Sequence, residues 1–149
     1  MHYKAYFDGS SFLNHCGIGY VIRDPHGRPI CKSARYAGRG DALKAEYMAL
    51  TALIQRLASL RIQRATIHGD SRTVIGQVNG RMNTREKNRF RDVILYLRDL
   101  CREHPGWHLQ WIPRAENGMA DALATEGLSE ARNPKCQTTR DDGRLRSVV

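Results

Sequence analysis

No stretch of this 149-residue chain approaches the roughly 18 uncharged apolar residues that a membrane-spanning helix needs. The opening residues, MHYKAYFDGSS, hold neither an apolar targeting segment nor a small-residue cleavage site. Export is therefore not expected, and a cytoplasmic location is. Cysteine is scarce and scattered: Cys16, Cys31, Cys101 and Cys136 form no CxxC pair and no Cys/His zinc spacing. Free thiols in a reducing compartment are the expectation, which sets aside a disulfide scaffold and a thiolate metal centre. Acidic residues are short as well. Lys and Arg number 24 against 15 Asp and Glu, a net charge of +9, and most of the cations are arginine. Arginine pairs bidentately with phosphate, so the imbalance points to a polyanionic partner, nucleic acid ahead of an anionic membrane surface. Hydrophobic residues at 41% and charged residues at 26% are ordinary globular usage, which argues against disorder, collagen-like repeats and coiled coil.

What is present reads as one α/β domain over residues 1–128. Alternation in HYKAYFD predicts a first strand over 2–8, with Tyr3, Ala5 and Phe7 on one face and Lys4, Tyr6 and Asp8 on the other. Strands over 16–24 and 28–36 flank the turn residues Asp24-Pro25-His26-Gly27, so the first three strands form an antiparallel meander. Asp41 is placed to cap a helix over 42–59. A short strand over 65–70 leads into a helix near 71–78, which Asn79-Gly80 closes. A longer helix is predicted from about Thr84 to Glu103, then a strand over 107–113 and a last helix over 116–128. Beyond Leu128 the apolar pattern stops, and residues 129–149, with a net +2, read as a basic, solvated tail. The order β-β-β-α-β-α-α-β-α predicts a mixed sheet with helices on its faces.

Four acids stand where acids are costly. Asp8 closes the predicted first strand and Asp70 the fourth. Glu46 lies in the apolar stripe of the first helix, and Asp121 is flanked by Ala120, Ala122 and Leu123. Taken singly, each acid also suits an arginine partner, a helix cap or a solvated edge, and Asp70-Ser71 suits the cap of the helix that follows. Together they suit one point beyond the carboxyl ends of the strands, where open α/β sheets bind ligands. Carboxylates converging without cations repel. Hard divalent ions remove that penalty, and a pair of them activates a water and stabilises the leaving oxygen of a phosphodiester.

Five segments, in order, resemble the type 1 ribonuclease H family, in its short bacterial or archaeal-like form. They are YFDGSS (6–11), GIGYVI (17–22), AEYMAL (45–50), GDSRTVIGQVNG (69–80) and WIPRAENGMADALA (111–124), and the likeness covers about residues 3–128. The resemblance implies a ribonuclease H-like fold, a five-stranded mixed sheet of order 3-2-1-4-5. It implies endonucleolytic cleavage of the RNA strand of RNA/DNA hybrids, leaving 5′-phosphate and 3′-hydroxyl ends. Two Mg²⁺ ions are implied as cofactors, with Mn²⁺ as a substitute. Asp8 would bridge them, Asp121 would serve the metal on the nucleophile side, and Glu46 with Asp70 the other. The partner is then the hybrid, with no membrane, and the protein a monomer.

The chain departs from the family at several points. No histidine lies in the loop before the last acid; Arg114, seven residues before Asp121, takes its place as a catalytic candidate for assisting product departure. Asp41-Ala42-Leu43 stands where paired asparagines are usual, Met82 where an aromatic is, and the basic protrusion and hybrid-binding domain are missing. Nucleic-acid contacts are expected from Gly9, Ser10, Ser11 and Asn14, and from a cluster of cations around the start of the third helix, chiefly Arg81, Arg85 and Arg89. A solvated helix face balanced by Glu86 and Asp92 is the competing reading of that cluster. Trp107, Trp111 and His68 read as structural. The alternative function is a non-catalytic or weakly active nucleic-acid-binding module on the same fold. A proofreading-type exonuclease is disfavoured because Asp8-Gly9-Ser10 lacks a second acid, and a membrane-surface protein because no basic amphipathic helix is evident.

Overall fold

The computed structural model describes residues 1–81, 85 and 88–130. Strands β1 (Tyr3–Phe12), β2 (His15–Arg23) and β3 (Pro29–Arg39) precede helix α1 (Ala42–Ser59). Then come β4 (Ala65–Gly69), α2 (Arg72–Val78), α3 (Arg91–Glu103), β5 (Trp107–Trp111), a 3₁₀ turn at Arg114–Glu116 and α4 (Gly118–Ser129). The sheet has the order β3-β2-β1-β4-β5, as expected. β1 pairs antiparallel with β2 and β2 with β3, while β1–β4 and β4–β5 are parallel.

Helices cover the two faces of the sheet. A Cβ at Gly9 would lie 2.2 Å from the backbone carbonyl carbon of Ala45, so α1 crosses β1 in near-backbone contact. Gly17 points to the opposite face, where a Cβ would lie 2.2 Å from the carbonyl oxygen of Ala124 in α4. The core fills the α1 side: Ala5, Phe7, Ile18 and Ile67 from the strands meet Leu50, Leu53, Ile54 and Leu57 of α1, with Val74, Ile94 and Leu97 closing the end. Trp107 belongs to this core, its indole Nε1 donating to the Ile62 carbonyl at 2.9 Å. Cys16, Cys31 and Cys101 are free thiols. Among the described residues, no helix is long and apolar enough to cross a membrane.

Five expectations about element ends need correcting. Asp8 does not end β1 but lies in its middle, because β1 runs on to Phe12 against β2. Its parallel pairing with β4 stops at Tyr6–His68, so Asp8 still sits beyond the end of the parallel ladder. α3 runs from Arg91, and of the earlier expected stretch the described residues Arg85 and Asn88–Phe90 are not helical: the Asn88 side chain accepts from the Phe90 N–H at 2.8 Å, an Asx turn that diverts the backbone from a helix. β5 ends at Trp111 instead of residue 113, where Pro113 opens the 3₁₀ turn. α4 begins at Gly118 instead of residue 116, behind that turn. Ser129 and Glu130, expected in the solvated tail, are folded: α4 runs to Ser129, and Glu130 is buried, its Oε2 accepting from the Tyr36 N–H at 3.4 Å. Met82, Glu86 and residues 131–149 of the expected tail lie outside the described residues.

Candidate active site

Three of the four acids converge. Asp8, Glu46 and Asp70 each offer a carboxylate oxygen within 4.8 Å of the other two. β1 delivers Asp8, α1 delivers Glu46 because it crosses β1 at Gly9, and Asp70 follows directly on β4. Asp41 caps α1 as expected, accepting from the Lys44 N–H at 3.0 Å, which fixes where the helix starts and so where Glu46 arrives. At α2 the capping side chain is Ser71, which accepts from Val74 N–H at 3.2 Å. That leaves the Asp70 carboxylate for the cluster.

Asp8 and Glu46 are buried, at 4% and 9% exposure. Burial, the largest cause, pushes the Glu46 carboxyl up to about 10, and a hydrogen bond to Asp8 and the charges of Asp8 and Asp70 push the same way. Burial raises Asp8 to about 7; the hydrogen bond from Glu46 opposes the rise, and Asp70 and Asp121 reinforce it. One inner carboxyl thus holds a proton on behalf of the pair. Glu46 Oε2 is buried with no hydrogen-bond partner. A carboxylate oxygen stranded in this way, with two more within ligand reach, fits a divalent cation, which would replace the proton and satisfy the orphan oxygen.

Asp121, the fourth acid, sits on the first turn of α4, its side chain 38% exposed, and it interacts with Asp8 from the solvent side. Arg114 Nη2 lies 3.8 Å from Asp121 Oδ1 and is itself 81% exposed, a loose, open ion pair.

Asn117 is the residue that the sequence reading passed over. It is 1% exposed, and its Nδ2 donates to the Phe7 carbonyl at 2.9 Å and to Asp70 Oδ2 at 3.0 Å. Its backbone carbonyl accepts from the Asp121 N–H at 3.0 Å. The amide side chain therefore ties β1 to Asp70, and the backbone of the same residue starts α4. The available signal was a carboxamide inside the last motif, four residues before the last acid. Trp111 adds a second tie, its Nε1 donating to the Asp70 backbone carbonyl at 3.1 Å. His68 is structural, as expected: it stacks on Tyr6 at 4.4 Å, its Nδ1 lies 3.0 Å from the Ala5 carbonyl, and burial lowers its pKa.

The expected nucleic-acid contacts divide. Gly9, Ser10 and Ser11 continue β1 past the acids, with the Gly9 N–H on Asp8 Oδ1 at 3.0 Å. Asn14 is exposed at the hairpin tip, with Leu13 and Asn14 both at positive φ, the requirement of a two-residue type I′ turn. Arg81 and Arg85 are exposed. Arg89 is not free: it is ion-paired with Asp41, the α1 cap.

Comparison with known proteins agrees with this geometry. Residues 6–127 match the protein family described as Reverse transcriptase-like. The chain is 33% identical to Ribonuclease HI of Halobacterium salinarum over 129 residues, 85% of this chain and 64% of that protein. The chain thus spans under two thirds of that curated relative, and about a third of the mycobacterial ones it also matches. The crystal structure of RNase H1 from Halobacterium salinarum NRC-1 superposes with a TM-score of 0.80 at 31% identity, covering 87% of this chain and 99% of that one. LC11-RNase H1 in complex with RNA/DNA hybrid superposes at 0.79 and 25% identity, covering 88% and 99%.

Proposed function

Because the chain belongs to the Reverse transcriptase-like family and, within it, to the type 1 ribonucleases H, we propose that it cleaves the RNA strand of RNA/DNA hybrids, leaving 5′-phosphate and 3′-hydroxyl ends. The observation that carries the reading is the inner carboxylate set: three ligand oxygens within 4.8 Å, one of them buried and without a partner. In this reading Asp8, Glu46 and Asp70 would hold one divalent ion, and Asp8 with Asp121 a second. Mg²⁺ is the proposed ion and Mn²⁺ its substitute, since an all-oxygen, all-carboxylate donor set suits both. Bound there, the ions would supply a water activated for attack and charge stabilisation for the leaving oxygen.

The protein's own residues do the rest. Buried Asp8 and Glu46 are held by strand and helix backbone, so their oxygens do not rearrange when they bind. Asn117 fixes one Asp70 oxygen by donating to it and leaves the other oxygen to turn toward the cluster. Arg114 is the proposed cation for the departing phosphate, and its 3.8 Å separation from Asp121 lets it exchange that partner for a phosphate oxygen. Gly9, Ser10, Ser11 and Asn14 would run along the hybrid beside Asp8, where contact with 2′-hydroxyls tells RNA from DNA. Arg81 and Arg85 would add phosphate neutralisation. A monomeric protein working in the cytoplasm completes the proposal.

The test is a labelled RNA/DNA hybrid, offered alongside single-stranded RNA and duplex DNA. Cutting of the hybrid alone, dependent on Mg²⁺ and abolished by EDTA, is the expected result. Binding of the hybrid without cleavage at any divalent ion would leave only a nucleic-acid-binding module.

A further inference from the structure

Arg72 stands two residues beyond Asp70, at the start of α2, and its guanidinium lies over the Trp111 ring at 3.7 Å from the centroid. The same indole donates through Nε1 to the Asp70 carbonyl. One tryptophan thus holds the backbone of a site acid with its edge and a cation with its face. Other cations of this region are engaged: Arg114 by Asp121, Arg89 by Asp41, and Arg98 Nε by the Gln77 carbonyl at 2.8 Å. Arg72 differs. It is exposed, and among the described residues no hydrogen bond or ion pair engages its guanidinium. Stacking consumes only the face of the group and leaves its five in-plane N–H donors for a ligand.

A flat, immobilised guanidinium with all its donors open, beside a carboxylate cluster, is matched to a tetrahedral dianionic or monoanionic oxygen group. We propose that Arg72, pre-positioned by Trp111, binds a backbone phosphate of the nucleic acid flanking the cluster on its Asp70 side. The inference rests on the ribonuclease H reading of that cluster for its substrate class. The stack lowers the ordering cost of a long side chain before the phosphate arrives, so Arg72 acts as a docking point rather than a roaming surface charge. Lysine would not reproduce it, because an ammonium offers a point charge and has no plane to lie on the indole.

The experiment is a salt titration of RNA/DNA hybrid binding in EDTA, with wild type, Arg72→Ala and Arg72→Lys, each first checked for an unaltered melting transition. A single phosphate contact contributes roughly 0.7–0.9 to the log–log salt slope. Arg72→Ala is therefore expected to flatten the slope by that amount and to weaken binding about three- to tenfold near physiological salt. Arg72→Lys is expected to restore the slope while leaving part of the affinity loss. Parallel lines for wild type and Arg72→Ala would overturn the contact, as would a lysine variant as flat as the alanine one. The outcome is separable from that of the catalytic reading: a protein that never cuts the hybrid, yet loses that share of salt slope with Arg72, keeps the phosphate contact and loses the hydrolysis.

Discussion

The acid constellation has an inner and an outer half, and they are built differently. Asp8 and Glu46 are buried, hang from regular strand and helix, and share a proton when no cation is present. Asp70 and Asp121 are half-exposed, one just past the end of β4 and the other on the first turn of α4, and depend on neighbours: Asn117 and Trp111 for Asp70, Arg114 for Asp121. The inner half is positioned by the fold itself, the outer half by individual side chains. The difference teaches where each kind of damage should show. A change in the inner half acts on cation binding and on the stability of the metal-free protein together, whereas a change to the half-exposed outer acids themselves acts on rate with little effect on folding.

Asp8→Asn tests the inner half most severely. It keeps the shape and removes the charge that both proposed ions would share, so Mg²⁺-dependent turnover is expected to fall below detection while hybrid binding persists. The same substitution relieves repulsion within a buried carboxylate group, and the metal-free melting temperature is expected to rise by about 2–4 °C, the shift that ~1 kcal/mol produces in a chain of this size. Turnover retained, or a melting temperature lowered by several degrees, would break the comparison at its root.

Asn117→Ala is the matching blow to the outer half. Removing a group that orients a metal ligand typically costs about 10–100-fold in activity or metal affinity. Here the loss is expected in kcat more than in KM, because Asp70 loses its orientation while the surface meeting the hybrid is unchanged. Asn117→Asp is the sharper control: it preserves volume but sets a carboxylate against Asp70, and it should be worse than alanine. Equal activity for wild type and Asn117→Ala would show that Asp70 needs no such tie.

The titration of the two inner acids gives a smaller effect of definite sign. Unfolded, both carboxyls lose their protons near pH 4; folded and metal-free, Asp8 does so at about 7 and Glu46 at about 10. Between those limits the folded state binds more protons than the unfolded state, so stability falls as pH rises. The contribution is complete below the unfolded values, declines through about pH 7 for Asp8, and goes on declining toward 10 for Glu46. Thermal melts in EDTA should therefore show the melting temperature dropping across this window, with the lower part of the drop missing in Asp8→Asn. Saturating Mg²⁺ should raise the high-pH end most, since the cation binds the ionised carboxylates. An EDTA profile flat from about pH 5 to 8 would contradict the shared proton.

The sequence made the inner half legible and the outer half only partly so. Glu46 stands out because a carboxylate in an apolar helical stripe has no cheap explanation, and the five-motif order carried Asp8, Asp70 and Asp121 with it. The sheet order was legible for the same reason. Element ends were harder, because they are decided by contacts that local pattern does not contain. β1 extends past Asp8 because β2 turns back at Leu13-Asn14 and pairs along its whole length. α3 starts late because one asparagine side chain caps a turn at Phe90. Asn117 has no periodicity to betray it: its role consists of two bonds to residues 110 and 47 positions away. The pairing of Arg89 with Asp41 was not legible, because Asp41 lies 48 residues earlier in the chain.

That last partnership supplies the finest test, because it sets two cations of one segment against each other. Arg85 is exposed and carries its charge to solvent, whereas Arg89 is half-neutralised by Asp41 before any phosphate arrives. Arg85→Ala should therefore flatten the salt dependence of hybrid binding by nearly one full contact, roughly 0.7–0.9 in the log–log slope, and Arg89→Ala by distinctly less. Deleting residues 131–149, which leaves α4 and the buried Glu130 in place and removes a net +3 of mixed charge, should flatten it less than Arg85→Ala does. Asp41→Asn reverses the sign. Asparagine caps a helix as well as aspartate does, so α1 and Glu46 stay in place, while Arg89 loses its carboxylate and becomes free to meet the polyanion. The slope should steepen by up to about one unit relative to wild type, with Arg89→Ala in the same background cancelling the gain. If Asp41→Asn leaves the slope unchanged, Arg89 faces away from the hybrid altogether, and the grip of this segment reduces to Arg81 and Arg85.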